Sequence, residues 1–344
     1  MKNPSKLLKI IKENRKFLIV SHINPEGDAI ASGIALALGL KKLGKYAYIL
    51  SKDPLPEILK FLPDSDLINT RIPSMNFDVL IMIDCNSMER TGFSGPGGSS
   101  REEKKLRAKT TAVIDHHLLP KRITRYDSPK PSGQQSIRWI EPNASATGEL
   151  IYRLLNLLHV QIDKKIAINL YTAIFTDTGG FRYSNTSIET LRIASKLIEA
   201  GANTWEITKE VYENIPINYF RLLTLTLATL EKKGKIAWIT VTRRMLRKTN
   251  TTAQATEDFA DRPRKIKGVE VGIFFRQDGK NLYKVSLRSK GAVNVAYIAK
   301  VFGGGGHANA AGCILKDSLK DVQNKVFQAV RKEIRNQNTN GTHN

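Results

Sequence analysis

Apolar residues follow two spacings along this chain, and the order of those spacings predicts the architecture. Short continuous apolar or β-branched runs at 17–21, 46–50, 79–84 and 112–115 are bounded by polar or glycine-rich stretches, as buried strands are. Elsewhere apolar residues recur at helical spacing. This predicts a helix at 29–43, an Ala/Leu/Gly pattern ending at Gly44, and further helices at 145–159, 164–175, 188–200, 204–212 and 217–230. Buried strands alternating with helices imply a parallel sheet with helices on its faces. The opening MKNPSKLLKIIKENRK carries charge in every turn, so it reads as an amphipathic helix feeding the first strand and not as a signal peptide.

The segment 92–109 interrupts this pattern with GFSGPGGSS, a loop, and REEKKLRAK, a short exposed helix with no expected catalytic role. A break follows at EKKGK, 231–235. After it come strands at 236–241, 268–276 and 282–288, a helix at 294–301, a glycine-rich loop and a closing helix at 319–335. The expected division is a parallel α/β domain at 1–190, a helical connection at 191–233, a smaller α+β domain at 234–336 and a disordered tail at 337–344.

Composition narrows the class. Hydrophobic residues make up 41% and charged residues 25% of 344 positions, which leaves apolar material for two cores and excludes collagen-like or disordered chains. Two distant cysteines, Cys85 and Cys313, exclude a disulfide-stapled scaffold and fit a reducing cytoplasm. No apolar run approaches the roughly 18 residues of a membrane span, so a cytoplasmic protein with no membrane partner is expected. Lys and Arg number 54 against 32 Asp and Glu, a net charge of +22. The excess concentrates late: residues 234–344 hold 21 basic and 8 acidic side chains. A basic C-terminal domain suits a phosphate-rich ligand, although solvated lysines give the same count.

Metal-type side chains gather where the predicted strands end. HINPEGD, after the first strand, supplies His22, Glu26 and Asp28. Asp84 follows the third strand, Asp115, His116 and His117 follow the fourth, and Asp177 lies in TDTGGFRY after helix 164–175. Open α/β sheets bind ligands outside the C-terminal ends of their strands, so these residues are expected to converge. Imidazoles and carboxylates without thiolates favour Mn²⁺, Mg²⁺ or similar cations over structural zinc. Five carboxylates in one pocket repel one another, and two divalent ions about 3.5–4 Å apart relieve the repulsion while activating water for phosphoester hydrolysis. Asp84 is the candidate bridge. Taken singly, each residue has a plainer reading: His22 bonded to backbone, Asp28 as N-cap of helix 29–43, Asp115 orienting a neighbouring histidine, and Asp177 capping a turn. Cys85 reads as a small buried residue and not a nucleophile.

A second cluster is GGGGHANAAG at 303–312. Gly304, Gly305 and Gly306 let the backbone approach a ligand closely, and His307 adds a donor for phosphate. Arg264 and Arg288 are candidates for phosphate or terminal-group contacts. The plainer reading is a flexible loop with solvated arginines.

Together these segments resemble the DHH phosphoesterase family. Asp115, His116 and His117 are its signature, SHINPEGDAIAS is similar to its first motif, Asp84 in LIMIDCN to its second and TDTGGFRYS to its fourth. GGGGHANAAG is similar to the signature of the DHH-associated C-terminal domain. The likeness spans roughly residues 15–315, and within the superfamily the short first motif and the direct junction to one C-terminal domain resemble bacterial oligoribonuclease/pAp-phosphatase proteins. It implies two α/β domains with the active site in the cleft between them and two Mn²⁺ ions, with Mg²⁺ or Co²⁺ as substitutes. By that resemblance His22, Glu26 and Asp84 hold the first ion, and Asp28, Asp84, His116 and Asp177 the second. His117, paired with Asp115, touches the scissile phosphate, while Gly304, Gly305, Gly306, His307 and Arg288 hold the nucleotide end. Where the family usually has Asp, this chain has Glu26, one methylene longer, which bears on metal affinity at the first site. The implied partners are short RNA oligonucleotides or small nucleotides such as 3′-phosphoadenosine 5′-phosphate (pAp), and a homodimer is compatible with the reading. Alternatives are a phosphodiesterase for cyclic or linear dinucleotides (c-di-AMP, pApA) and a nucleic-acid-binding module without catalysis. Inorganic pyrophosphatases share the first domain but not the GGGGH loop.

Overall fold

The computed structural model describes residues 4–94, 106, 108–117 and 135–340. The chain forms two compact units, Met1–Asn214 and Ile215–Asn344.

The first unit is built on a parallel sheet. Its strands are β1 (Lys16–Val20), β2 (Tyr46–Leu50), β3 (Ile68–Asn69), β4 (Phe77–Ile83), β5 (Ala108–Asp115) and β6 (Gln135–Ile140), in spatial order β3-β2-β1-β4-β5-β6. The sequence pattern misses β3 and β6 because both are edges. Each has one neighbour, so β6 (QSIRWI) tolerates polar residues and β3 needs only two positions. The chain runs outward from β1 through β2 to β3 and then returns to β4 on the other side of β1. That reversal puts the switch point, where such sheets bind ligands, between the ends of β1 and β4.

Both faces of this sheet are covered, as parallel sheets require. Phe17 and Ile19 join a core shared with the helices, whereas Leu18 and Val20 join a core on the opposite face. The helices are α1 (Ser5–Glu13), α2 (Gly27–Lys42), α3 (Thr147–Leu157), α4 (Lys164–Asp177) and α5 (Ile188–Glu199). Every residue of α2 from Gly27 to Leu40 is buried, and its small side chains let α4 come close. A Cβ on Gly27 would fall 2.5 Å from Thr176 Oγ1, so glycine lets the first turn of α2 meet the last turn of α4. That contact carries Asp28 toward Asp177. A Cβ on Gly148 would meet Ala173 Cβ at 2.6 Å, and its absence seats the head of α3 in the same place.

The stretch 191–233 is helical only as far as Leu227, since 231–233 is a strand, and its helices belong to the two cores. Ile193 and Leu197 of α5, and Ile207 of α6 (Thr204–Thr208), lie in the first core. Leu222 of α7 (Ile217–Leu227) lies in a core with Ile239, Val241, Phe259 and Phe274 of the second unit. Of segment 92–109, most lies outside the described residues, and β5 already begins at Ala108.

The second unit is α+β. Its strands are β7 (Glu231–Lys233), β8 (Ile236–Val241), β9 (Val271–Gly279), β10 (Leu282–Ser289), β11 (Gly305–His307) and β12 (Ala310–Lys316), in order β11-β12-β10-β9-β8-β7, parallel only at β8–β9. Its remaining helices are α8 (Arg243–Thr249), α9 (Val295–Val301) and α10 (Leu319–Asn340). EKKGK, expected as a break, forms a hairpin, with Gly234 at φ +58° turning β7 into β8. The expected tail at 337–344 is helical as far as Asn340.

Candidate active site

His22 follows β1, Asp84 follows β4, and Asp115, His116 and His117 end and follow β5, so neighbouring strand ends bring them together. Asp28 and Asp177 arrive on helices. Asp28 is not the N-cap of α2, as the sequence suggested; Glu26 holds that place, and Asp28 sits inside the first turn. Asp177 is the last residue of α4, where the negative end of the helix already disfavours a carboxylate. Asp84 stands at φ +53°, a left-handed conformation that Asp tolerates better than most residues and that functional sites often hold.

The histidines are set as metal ligands usually are. His22 Nδ1 lies 2.8 Å from the Ile23 carbonyl and His116 Nδ1 lies 3.2 Å from the Ala144 carbonyl. A carbonyl only accepts, so each Nδ1 donates there and each Nε2 is the atom turned into the site. His22 Nε2 lies 3.4 Å from Asp84 Oδ2. His116 Nε2 is buried without a hydrogen-bond partner among the described residues. Around it stand three carboxylate oxygens: Asp177 Oδ2 at 3.6 Å, Asp84 Oδ1 at 3.7 Å and Asp28 Oδ2 at 3.8 Å. These are too far to hydrogen-bond and suit atoms facing a common cation, since ligands at roughly 2.0–2.2 Å from an ion lie about 3–3.5 Å apart. Asp28, His116 and Asp177 form one group able to hold an ion, and Asp84, His116 and His117 a second. Asp84 turns Oδ2 to His22 and Oδ1 to His116, as a bridging carboxylate would.

Proton affinities reflect this crowding. Burial, followed by repulsion from Asp84 and Asp177, pushes Asp28 well above the ordinary carboxylate range. Burial likewise raises Asp177 to about 6, with His116 opposing and Asp84 adding to the rise. Burial also works against ionising Asp84, but hydrogen bonds from His117 and His22 outweigh it and hold that carboxyl below its usual range. Buried carboxylates that repel one another in this way are ones whose charge a cation would relieve.

Asp115 is fully buried and stands behind the ligand groups. Its Oδ1 accepts from the His117 backbone N–H at 3.0 Å and from His117 Nδ1 at 2.8 Å. That bond, together with Asp84, raises His117 to about 10. Asp115 therefore orients a histidine, the plainer of its two readings. Glu26 is exposed and outside both groups, though close enough to Asp177 to raise its proton affinity. Cys85 is buried, and burial pushes its thiol up to about 12, so it is not a nucleophile. Sequence reasoning missed Thr147, Gly148, Ser32 and Asn185, which hydrogen-bond the carboxylates. These residue types carry no signal of their own.

In the second unit, the candidate residues fall in one row across the sheet. His307 pairs with Ala310, Ala310 with Arg288, and Arg288 with Gly272. Residues paired in this way share a face, the one opposite buried Leu287 and Ala311. A Cβ on Gly272 would fall 2.6 Å from the Arg264 backbone nitrogen, so the backbone at Arg264 packs against that end of the row. Asp261, which the sequence did not single out, ties the arginines together: Arg264 reaches it at 3.0 Å and Arg288 at 3.5 Å. The glycine run has a structural purpose as well. Gly303, at φ +72°, and Gly304 close α9 by donating to Lys300 and Ala299 carbonyls. A Cβ on Gly304 would meet the Gly312 carbonyl at 2.2 Å, and one on Gly306 the Ala310 carbonyl at 2.5 Å, while Gly305 faces open space.

Two family models match the chain in tandem: DHH family, N-terminal domain, over residues 16–174, and DHHA1 domain over residues 233–336. The chain belongs to the DHH family of phosphoesterases. It is 32% identical over 322 residues to the Thermus thermophilus protein named bifunctional oligoribonuclease and PAP phosphatase NrnA, covering 92% of this chain and 89% of that one. A Listeria monocytogenes cyclic-di-AMP phosphodiesterase, PdeA, is 23% identical across 94% of this chain, but the match spans only 48% of its own length. Among solved structures, an exopolyphosphatase-related protein from Bacteroides fragilis superposes with a TM-score of 0.84 at 27% identity, covering 97% of both chains. This DHH chain therefore has the two-domain α/β and α+β organisation that its motifs implied. Among its described residues no helix is long and apolar enough to cross a membrane.

Proposed function

We propose that this chain hydrolyses phosphodiester bonds of very short oligoribonucleotides, releasing mononucleotides in the cytoplasm, and removes a phosphate from pAp. The observation that carries the chemistry is His116 Nε2, buried and unpartnered, with three carboxylate oxygens facing it at 3.6–3.8 Å. Similarity to the Thermus thermophilus NrnA protein supports the substrate class. In this reading His22, Glu26 and Asp84 hold one divalent ion and Asp28, Asp84, His116 and Asp177 the other, with Mn²⁺ the expected ion and Mg²⁺ or Co²⁺ substitutes. Such ions supply Lewis acidity, neutralising charge on phosphoryl oxygens and acidifying water. His117, held by Asp115, donates to a phosphoryl oxygen as charge builds there. Arg264, Arg288, His307 and the Gly304, Gly305 and Gly306 segment grip the nucleotide end, and the basic second unit favours anionic substrates.

A substrate panel tests this reading: RNA of two to five nucleotides, long single strands, pAp, pApA, c-di-AMP and pyrophosphate, each with Mn²⁺ and with Mg²⁺. Fastest release from the shortest RNAs with Mn²⁺ is expected. Preference for c-di-AMP, pApA or pyrophosphate would replace the substrate assignment. Binding of RNA without turnover on any substrate would leave a nucleic-acid-binding module.

A further inference from the structure

We infer that Thr147, at the head of α3, is a positioning residue that sets two of the buried carboxylates in ligand geometry; the inference rests on the metal site proposed above. The Thr147 backbone N–H donates to Asp28 Oδ2 at 2.6 Å, and the Gly148 N–H to Asp28 Oδ1 at 2.9 Å. Ser32 Oγ, one turn along α2, donates to the same Oδ1 at 2.9 Å. Thr147 Oγ1 donates to Asp84 Oδ1 at 3.0 Å. One residue thus grips carboxylates that lie 119 and 63 positions away in sequence.

The consequence is a choice of oxygens. Asp28 Oδ1 already accepts two donors, so Oδ2 is the atom it presents toward His116. Asp84 cannot turn about its last side-chain bond without losing the Thr147 hydroxyl, and this keeps Oδ1 on the His116 side and Oδ2 on the His22 side. The turn that carries Thr147 is braced in its own right. Buried Glu149 accepts from the Ser145 N–H at 3.1 Å and Ser145 Oγ at 2.9 Å, from Thr190 Oγ1, and from Arg153. The Ser145 carbonyl accepts from Asn185 Nδ2, which also reaches Asp177 Oδ2 at 3.3 Å. Asp28 and Asp84 are therefore oriented directly from the 145–149 turn, and Asp177 through Asn185, which that turn also binds. The Thr147, Gly148, Ser32 and Asn185 donors are neutral and fix geometry, while the imidazoles of His22 and His117 also reach Asp84.

Outer partners of metal ligands are worth about 10- to 100-fold in metal affinity. The test is Mn²⁺ titration of metal-free wild type, Thr147→Val and Thr147→Ser without substrate, following unbound Mn²⁺ by electron paramagnetic resonance. Circular dichroism of each metal-free protein checks the fold. Valine keeps the shape and the backbone N–H but loses the hydroxyl; serine keeps the hydroxyl and loses the methyl. Thr147→Val should bind Mn²⁺ about 10- to 100-fold more weakly, with Thr147→Ser restoring most of the loss. Ser32→Ala removes a donor to Asp28 without touching α3, and it should weaken binding in the same direction. Wild-type affinity in Thr147→Val and Ser32→Ala would overturn the inference, as would equal weakening in Thr147→Val and Thr147→Ser, which would assign the effect to packing. A wild type that binds no Mn²⁺ would instead remove the metal site on which the inference rests.

Discussion

Asp177 shows at the scale of one residue what the site costs the fold. Burial raises its carboxyl from 3.8 to about 6, so the folded protein holds the proton more tightly than the unfolded chain does. Its penalty is absent below about pH 4, grows as pH climbs through about 6 and is complete above that. The full penalty is up to roughly 3 kcal/mol at 1.36 kcal/mol per unit. Asp177→Asn should therefore raise the thermal midpoint of the metal-free protein by several degrees at pH 7.5, and the gain should shrink steadily toward pH 4. Scanning calorimetry across that pH series checks it; a gain independent of pH would mean that packing, not charge, limits stability there. The residues that converge around His116 and Asp84 were legible in the sequence because each sits in a short motif beside a strand end or helix end. Their donors were not, since Thr147 and Ser32 are ordinary polar residues until the chain brings them to Asp28. Asp28 itself illustrates the limit: an aspartate before an apolar helix reads as a cap, whereas here it accepts from the head of another helix.

At the scale of elements, buried strands announced themselves through continuous apolar runs, and the edges β3, β6, β7 and β11 did not, having too little to bury. The β11 segment is the telling case. GGGGH reads as a loop because glycine has low strand propensity, yet Gly304 and Gly306 are where backbone crosses backbone against β12. The four glycines should therefore separate on substitution. Gly304→Ala and Gly306→Ala should lower the stability of the second unit by a few kcal/mol, because the added Cβ meets carbonyl oxygens at 2.2 and 2.5 Å. Gly305→Ala meets nothing within 4 Å and should fold like the wild type. If the segment also contacts substrate, Gly305→Ala should still lower kcat/KM on a dinucleotide. Chemical denaturation and steady-state kinetics on the three variants check both halves; equal destabilisation by all three would contradict this account of the run.

For the whole molecule, the proposed function puts the chemistry on the strand-end residues and the grip on the basic second unit, which has 21 basic and 8 acidic side chains over 234–344. Charge-assisted contacts to phosphate are worth roughly 1.5–3 kcal/mol each. His307→Ala and Arg288→Ala should thus lower kcat/KM on a dinucleotide by about 10- to 150-fold. Metal content should be unchanged, and bis-p-nitrophenyl phosphate, too small to need the grip, should be nearly unaffected. Equal losses on both substrates would contradict the division. The central claim is metal-dependent phosphodiester hydrolysis at His116 and its three carboxylates. Its most direct test is mononucleotide release from an RNA dinucleotide by wild type with Mn²⁺, by wild type with chelator, and by folded His116→Ala with Mn²⁺. The account predicts turnover in the first case and less than about a tenth of that rate in the other two. Undiminished turnover in chelator, or in His116→Ala, would contradict it.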